Sequence, residues 1–250
     1  MTLARTLSLR TIETITAAMP ELREVQGAGG KIARVIPTAQ NPEAGALRIW
    51  QGDKVRMVYI GLNAELPMRD GSGRTMVLDS HMIFAFTHKH STVPHFTLDA
   101  IAAGPVLAYH LDLLPRVDLG AHLGYMDRVY GGDLDEARKK ALTLPGFSEA
   151  PLSPRQHALM SPWMMANRAT PEAFQQIPVD SYLDRWLSLL NTGIAAELTS
   201  DLSREDLVRR DREHRAALFN AEVDPVWRQI EAMIGAEMGA DLRDVLRQQD

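Results

Sequence analysis

No cysteine occurs in this chain of 250 residues. That excludes disulfides, thiolate metal sites, iron–sulfur clusters held by the chain itself and a cysteine nucleophile. No run approaches about eighteen uninterrupted apolar residues, so no membrane span is expected. Positive charge is in short supply. Lys and Arg number 27 against 32 Asp and Glu, and the net charge of −5 gives no global attraction to nucleic acid. The first twenty residues lack a compact apolar core and carry Glu13 in their middle, which argues against a signal peptide and for a cytoplasmic protein. A phosphate loop is missing too. Gly27-Ala28-Gly29-Gly30-Lys31 has neither the spacing nor the hydroxyl of the GxxxxGK[ST] pattern and reads as an ordinary loop.

What remains is an ordinary globular composition, 45% hydrophobic and 24% charged. No repeat of about 20–50 residues and no linker divides the chain, so a single domain over residues 1–250 is expected. Leu9, Ile12, Ile15 and Met19 recur at helical spacing and Pro20 ends the run. From Ala46 to about Pro115 the texture is that of strands: ALRIW, KVRMVYIGL, RTMVLDSHMIFAFTH, HFTLDAIAAG and PVLAYHLDLLP. The turn signals between them are Gln51-Gly52-Asp53, Asp70-Gly71-Ser72-Gly73 and Gly104-Pro105. Gaps this short suit antiparallel neighbours. From Asp118 onward the chain reads as helices, with Asp residues at plausible caps and one more strand in HALMSPWMMANRA, broken at Pro162. TPEAFQQIPVDSYLDRWLSLLNTG reads as a helix stopped by Gly193, and SREDLVRRDREHRAALFNA and DPVWRQIEAMIGAEMGADLRDVLR close the chain as helices. Strands first and helices later is the α+β order, with helices covering an antiparallel sheet.

Four of the eight histidines fall within fifteen residues: His81, His88, His90 and His95, followed by Asp99. His81 and Asp99 interrupt apolar strands, where an ionisable group is costly unless paired or functional. An Asp in such a site has a raised pKa and can deliver a proton, and a His beside it can share that proton. The competing reading is a satisfied core hydrogen bond. A second chemical reading is a metal-dependent enzyme built on His81, His88, His90 and Asp99, with His110-x-Asp112 repeating the alternation. Arg204, Arg209, Arg210, Arg212 and Arg215 interleave with acids and read as a solvated helix face, or as a carboxylate-capturing one.

Taken in order, these segments resemble a known family. PHFTLDAIAAGPVLAYHLDLLPRVDLGAHLGYMDRVYG resembles red chlorophyll catabolite reductase: an acidic residue in a strand, a Gly/Ser-Pro turn, a strand ending in DLLPR-DL, and a helix with a His–Tyr pattern. It is similar also to the wider superfamily of ferredoxin-dependent bilin reductases, where an early strand His precedes a catalytic Asp by about the eighteen residues that separate His81 from Asp99. Asp224-Pro225-Val226-Trp227, then Gly235, then Val245-Leu246 resembles the superfamily's C-terminal Asp-Pro-led helix. Red chlorophyll catabolite reductases commonly carry Glu where this chain has Asp99, the bilin-reductase choice.

The resemblance implies a three-layer α/β/α sandwich with a mostly antiparallel central sheet, holding a linear tetrapyrrole between the sheet and the C-terminal helices. It implies no cofactor bound by the chain, reduced ferredoxin as the external electron donor, and a homodimer as in the chlorophyll-catabolite branch. Its catalytic residues are then Asp99, His81 and Asp224. Met82, Phe84, His88, Phe96, Arg116 and Arg209 are the expected substrate-binding residues. The expected activity is reduction of a bilin or open-chain chlorophyll catabolite. A protein of the same fold that binds or isomerises the pigment without reducing it is the alternative.

Overall fold

The structure, a computed structural model, describes residues 1–26, 34–67 and 73–249. The Gly27–Lys31 loop and Asp70-Gly71-Ser72 of the second turn signal lie outside the described residues. Helix α1 (Leu3–Ala18) is capped by Thr2, whose hydroxyl accepts the Arg5 N–H at 3.1 Å, and it stops ahead of Pro20. Nine strands follow among the described residues: β1 (Arg23–Glu24), β2 (Arg34–Ile36), β3 (Gly45–Gln51), β4 (Val55–Pro67), β5 (Thr75–Thr87), β6 (His95–Ala103), β7 (Val106–Leu114), β8 (Phe147–Glu149) and β9 (Met165–Ala169). They form one sheet in the order β1-β3-β4-β5-β6-β7-β9-β8, with β2 sharing the β3 edge with β1. All of its pairings are antiparallel. The five strands legible in the sequence are the meander β3–β7, and the short β1, β2 and β8 extend its two edges.

The helices are α2 (Leu123–Tyr130), α3 (Asp133–Leu142), α4 (Pro154–Leu159), α5 (Pro171–Phe174), α6 (Val179–Thr192), α7 (Arg204–Leu218), α8 (Val226–Ile234) and α9 (Ala236–Arg247). Two expected single helices are each two. Pro178 brings no N–H to a helical ladder and separates α5 from α6. Gly235, at φ +88° and ψ 152°, ends α8 and starts α9. The expected Asp caps are replaced by His122 before α2 and Gly132 before α3, with Asp133 in the first turn, where it favours the helix dipole. HALMSPWMMANRA divides between the end of α4 and β9. Among the described residues no helix is long and apolar enough to cross a membrane.

Because strand side chains alternate, the central strands feed two cores. On one face Met57, Ile83, Leu98 and Leu111 pack against Ile12 and Ile15 of α1 and Leu183 and Trp186 of α6. On the other, Val58, Ile60, Met82, Phe84 and Phe86 pack against Leu218, Phe219, Trp227, Ile230, Leu242 and Leu246, carried by α7–α9 and their connections. The fold is α+β, in three layers. The second core is the one that does not close completely.

Candidate functional site

A cavity of about 1090 Å³ lies between β4–β6 and the α8–α9 layer. That is the size of a site for a large organic ligand rather than a packing defect. Its walls are mostly apolar, including Ile60, Leu62, Leu78, Met82, Ile101, Ile230 and Met233. Four polar side chains interrupt them: Ser80 and Asp99 from the sheet, Arg228 and Gln229 from α8.

Strand register places Asp99. One row runs across the sheet through Ile60, Met82, Asp99, His110 and Ala166, directly opposite one another on β4, β5, β6, β7 and β9. Asp99 is therefore flanked by the Met82 thioether and the His110 imidazole. Among the described residues its Oδ1 has no hydrogen-bond partner, and its Oδ2 stands 3.9 Å from His110 Nδ1, beyond hydrogen-bond length. Burial, with the nearby Asp224 carboxyl adding to it, pushes the Asp99 pKa up to about 8. Burial drives His110 the other way, down to about 4, so its ring is neutral. Asp224 sits in the turn leading into α8, where its Oδ1 accepts the Val226 N–H at 3.0 Å, and burial raises its pKa as well. The arrangement is an apolar chamber with a carboxylic acid in its wall that keeps its proton near neutral pH. A second carboxyl approaches from the helical layer.

The other expected site residues divide between this chamber and elsewhere. Met82 lines the cavity. His81 does not, because the residue next to Met82 along a strand points through the opposite face. There its Nδ1 meets the Tyr59 hydroxyl at 2.7 Å and its Nε2 the Asp79 carboxylate at 3.0 Å. Asp79 also accepts the Thr2 hydroxyl and the Asn63 amide, so His81 belongs to a satisfied network under the start of α1. The expectation that His81 shares a proton with Asp99 is corrected on this ground. Phe96 faces that same layer, packed on Trp186 at 5.7 Å between ring centres. Phe84 is on the cavity side but sits beneath Phe219 and beside Phe86, away from the cavity lining.

His88 and His90 lie in the turn after β5, their rings 5.2 Å apart, and neither lines the chamber. His81, His88, His90 and Asp99 thus do not converge, and among the described residues no group of three or more His, Asp or Glu is placed to hold a metal ion. Arg116 is buried, joined to Asp211 at 2.7 Å and to the Lys89 carbonyl at 2.8 Å. It locks α7 to the sheet instead of facing the cavity. Arg209 is on the exterior of α7, with Asp206 at 3.1 Å and Glu213 at 3.7 Å. The sequence alone points to no site role for Ser80, Arg228, Gln229 or Met233, and places His110 only in a metal-ligand alternation. A signal for His110 was present: a hairpin turning at Gly104-Pro105 sets residues at equal distances from the turn opposite each other, which pairs 99 with 110.

Comparison with known proteins agrees with this fold. The family model for red chlorophyll catabolite reductase matches residues 35–239. Red chlorophyll catabolite reductase 1, chloroplastic, from Oryza sativa subsp. japonica is 27% identical over an alignment of 128 residues, which covers 45% of this chain. The alignment spans 38% of that protein, well under half its length. In three dimensions the chain is similar to phytochromobilin synthase from tomato, solved in complex with biliverdin. The TM-score is 0.69 at 16% identity, over 97% of this chain and 82% of that one, a likeness of fold. With the family pattern running from β2 at one sheet edge into α9 over the cavity, the chain belongs to the red chlorophyll catabolite reductase family.

Proposed function

We propose that the protein reduces an open-chain tetrapyrrole, a bilin or a ring-opened chlorophyll catabolite, held in the chamber between the sheet and α8–α9. Electrons arrive one at a time from reduced ferredoxin; Asp99 delivers the protons, and Asp224, the second catalytic carboxyl, acts on Asp99 from the helical layer. The observation that carries this reading is the acid in the apolar wall. Each electron added to a conjugated tetrapyrrole raises its basicity, so the position of a proton donor decides where reduction lands. A carboxyl with a pKa of about 8 still holds its proton at pH 7 and becomes a strong enough acid toward a radical anion. The apolar lining excludes water from that radical, and a pigment filling the chamber removes the water that reaches Asp99 and reinforces its protonation. Arg228 and Gln229, on the helical wall, are the groups offered to the ligand's carboxylates. The biliverdin in the tomato protein and the activity named for the rice relative support the same substrate class. The reading places the enzyme in the cytoplasm with its donor, which cell fractionation tests.

The primary test is a titration with biliverdin in dim light, followed in the visible spectrum. A saturable, shifted complex that is bleached or moved again by reduced ferredoxin under anaerobic conditions is expected. A complex that forms but never changes with the donor identifies a pigment-binding protein instead. No complex with biliverdin or with an open-chain chlorophyll catabolite defeats the assignment.

A further inference from the structure

Among the buried polar atoms that find no hydrogen-bond partner in the described residues, two belong to neighbours: Asp99 Oδ1 and His110 Nε2. Atoms of this kind are rare in folded proteins unless a ligand, a water or a reaction uses them. The register sets the two side chains directly opposite on β6 and β7, with Oδ2 and Nδ1 3.9 Å apart. The cavity is lined from β4, β5 and β6 but not from β7, so the order along the row is chamber, Asp99, His110. The side chains are 27% and 17% accessible, so neither is sealed from water, although His110 Nε2 itself is buried. A small side-chain rotation or one bridging water closes the gap between them.

We propose that His110 reloads Asp99 with a proton between successive electron transfers, acting through Asp99 and never on the pigment. This rests on the tetrapyrrole-reductase reading above. The first electron from ferredoxin makes the pigment a radical anion. The Asp99 carboxyl gives it a proton, leaving a neutral radical and a carboxylate. That new anion beside the imidazole favours the ring's charged form, which burial had disfavoured while Asp99 was neutral. The free Nδ1 of His110 takes a proton from solvent, making the ring an imidazolium, and that Nδ1 proton passes to Asp99 Oδ2, which restores the Nε2–H tautomer. The second electron and the second Asp99 proton then complete a reduction by two electrons and two protons, both protons drawn finally from solvent.

The other ionisable groups on this side of the sheet are occupied or remote from the exchange. Asp112, two residues along β7, accepts the Ser161 hydroxyl and N–H at 2.5 and 2.8 Å. Arg168 on β9 is exposed, and His214 on α7 is bonded to the Leu159 carbonyl at 2.7 Å. Asp224 acts on Asp99 from the helical layer.

Nitrogen-15 NMR of the histidine rings in the whole, ligand-free chain reads this exchange directly. While Asp99 is protonated, the His110 Nδ1 lone pair faces it. As Asp99 ionises, the Nδ1 signal should move to the N–H range, and this movement should vanish in Asp99→Asn. An Nδ1 signal indifferent to Asp99 overturns the proposal. In a second measurement, His110→Gln is saturated with biliverdin and given reduced ferredoxin. It should bind the pigment as the unsubstituted protein does, accept the first electron, and hold the radical about 10–100-fold longer, seen by electron paramagnetic resonance. Radical decay at the unsubstituted rate also overturns it. If the unsubstituted protein binds and reduces neither biliverdin nor an open-chain chlorophyll catabolite, the functional reading fails. The NMR result still decides whether His110 and Asp99 exchange a proton.

Discussion

His81 and Met82 are adjacent in the chain, and that single step puts one under α1 and the other in the wall of the chamber. The same parity leaves Asp99 inside with Met82, and it makes Asp99 the residue on which the chemistry turns. Asp99→Asn keeps the volume and a hydrogen-bonding group while removing the transferable proton. The variant should fold and bind biliverdin with a saturable spectrum, yet lose at least about 100-fold in reduction rate or reduce a different double bond. Anaerobic assays with product analysis check this, and an unchanged rate and product would remove Asp99 from the mechanism. The two arginines expected to bind substrate differ in a parallel way. Arg116 shares Asp211 with His95, Arg215 and Gln249, at 2.7, 2.7, 3.1 and 2.6 Å in the order Arg116, His95, Arg215, Gln249. Removing the acceptor takes the shared carboxylate from two buried guanidinium groups, so Asp211→Ala should cost about 3–5 kcal/mol by urea denaturation. Arg209→Ala, on the exposed side of the same helix, should stay within about 0.5 kcal/mol and leave pigment binding untouched.

At the scale of elements, the meander β3–β7 was legible because alternation, β-branched content and short turn signals all agree over five consecutive segments. The edge strands β1, β2 and β8 were not, since two or three residues carry no period. The helical half was legible in order but not in division: Pro178 and Gly235 were both visible, and each breaks what otherwise reads as one amphipathic run. Asp99 was legible as a candidate from its costly position in an apolar strand, Asp224 only from the resemblance. The cavity itself was not, because it arises from the fit of α8–α9 over the sheet, a property of no single segment. Gly235 sets that fit. Its φ of +88° with ψ of 152° is a region that side-chain-bearing residues avoid, although an added Cβ would meet nothing within 4 Å. Gly235→Ala should therefore cost about 1–3 kcal/mol through backbone strain alone. Since α8 and α9 form the cavity's outer wall, weaker biliverdin affinity should accompany it. Full stability and affinity in that variant would show that the helix pair does not depend on this junction.

For the whole molecule, the central strands each feed both cores, so neither helical layer has a sheet of its own to fold upon. We propose that the chain unfolds as one unit. Its stability then sums titrations from both faces. Buried His81, His95, His110 and His214 all have lowered pKa values, with desolvation the largest cause in each. Below pH 6.5 the unfolded chain protonates these rings and the folded one resists, so stability falls as pH drops from 6.5 toward about 4. Burial raises Asp99 to about 8 and Asp112 to about 7, and these act in the opposite direction. Above pH 3.8 the unfolded carboxyls are ionised while the folded ones keep their protons, so each unit of rising pH costs stability until the folded pKa is passed. Four rings outweigh the three carboxyls that burial raises, Asp99, Asp112 and Asp224, below pH 6.5. Above it the carboxyls act together with His122, whose pKa is raised by its bond to the Asp118 carbonyl and whose contribution to stability is also lost as pH rises. Stability should peak near pH 6.5, decline toward pH 8 and then level off, as read from urea midpoints at pH 5, 6.5, 8 and 9. Asp99→Asn removes one proton from the alkaline limb, about 1.4 kcal/mol per pH unit, and should make the protein more stable than the unsubstituted chain at pH 8. An alkaline limb identical in both proteins would mean that Asp99 is already ionised at pH 6.5, and that the acid in the chamber wall is not there to give.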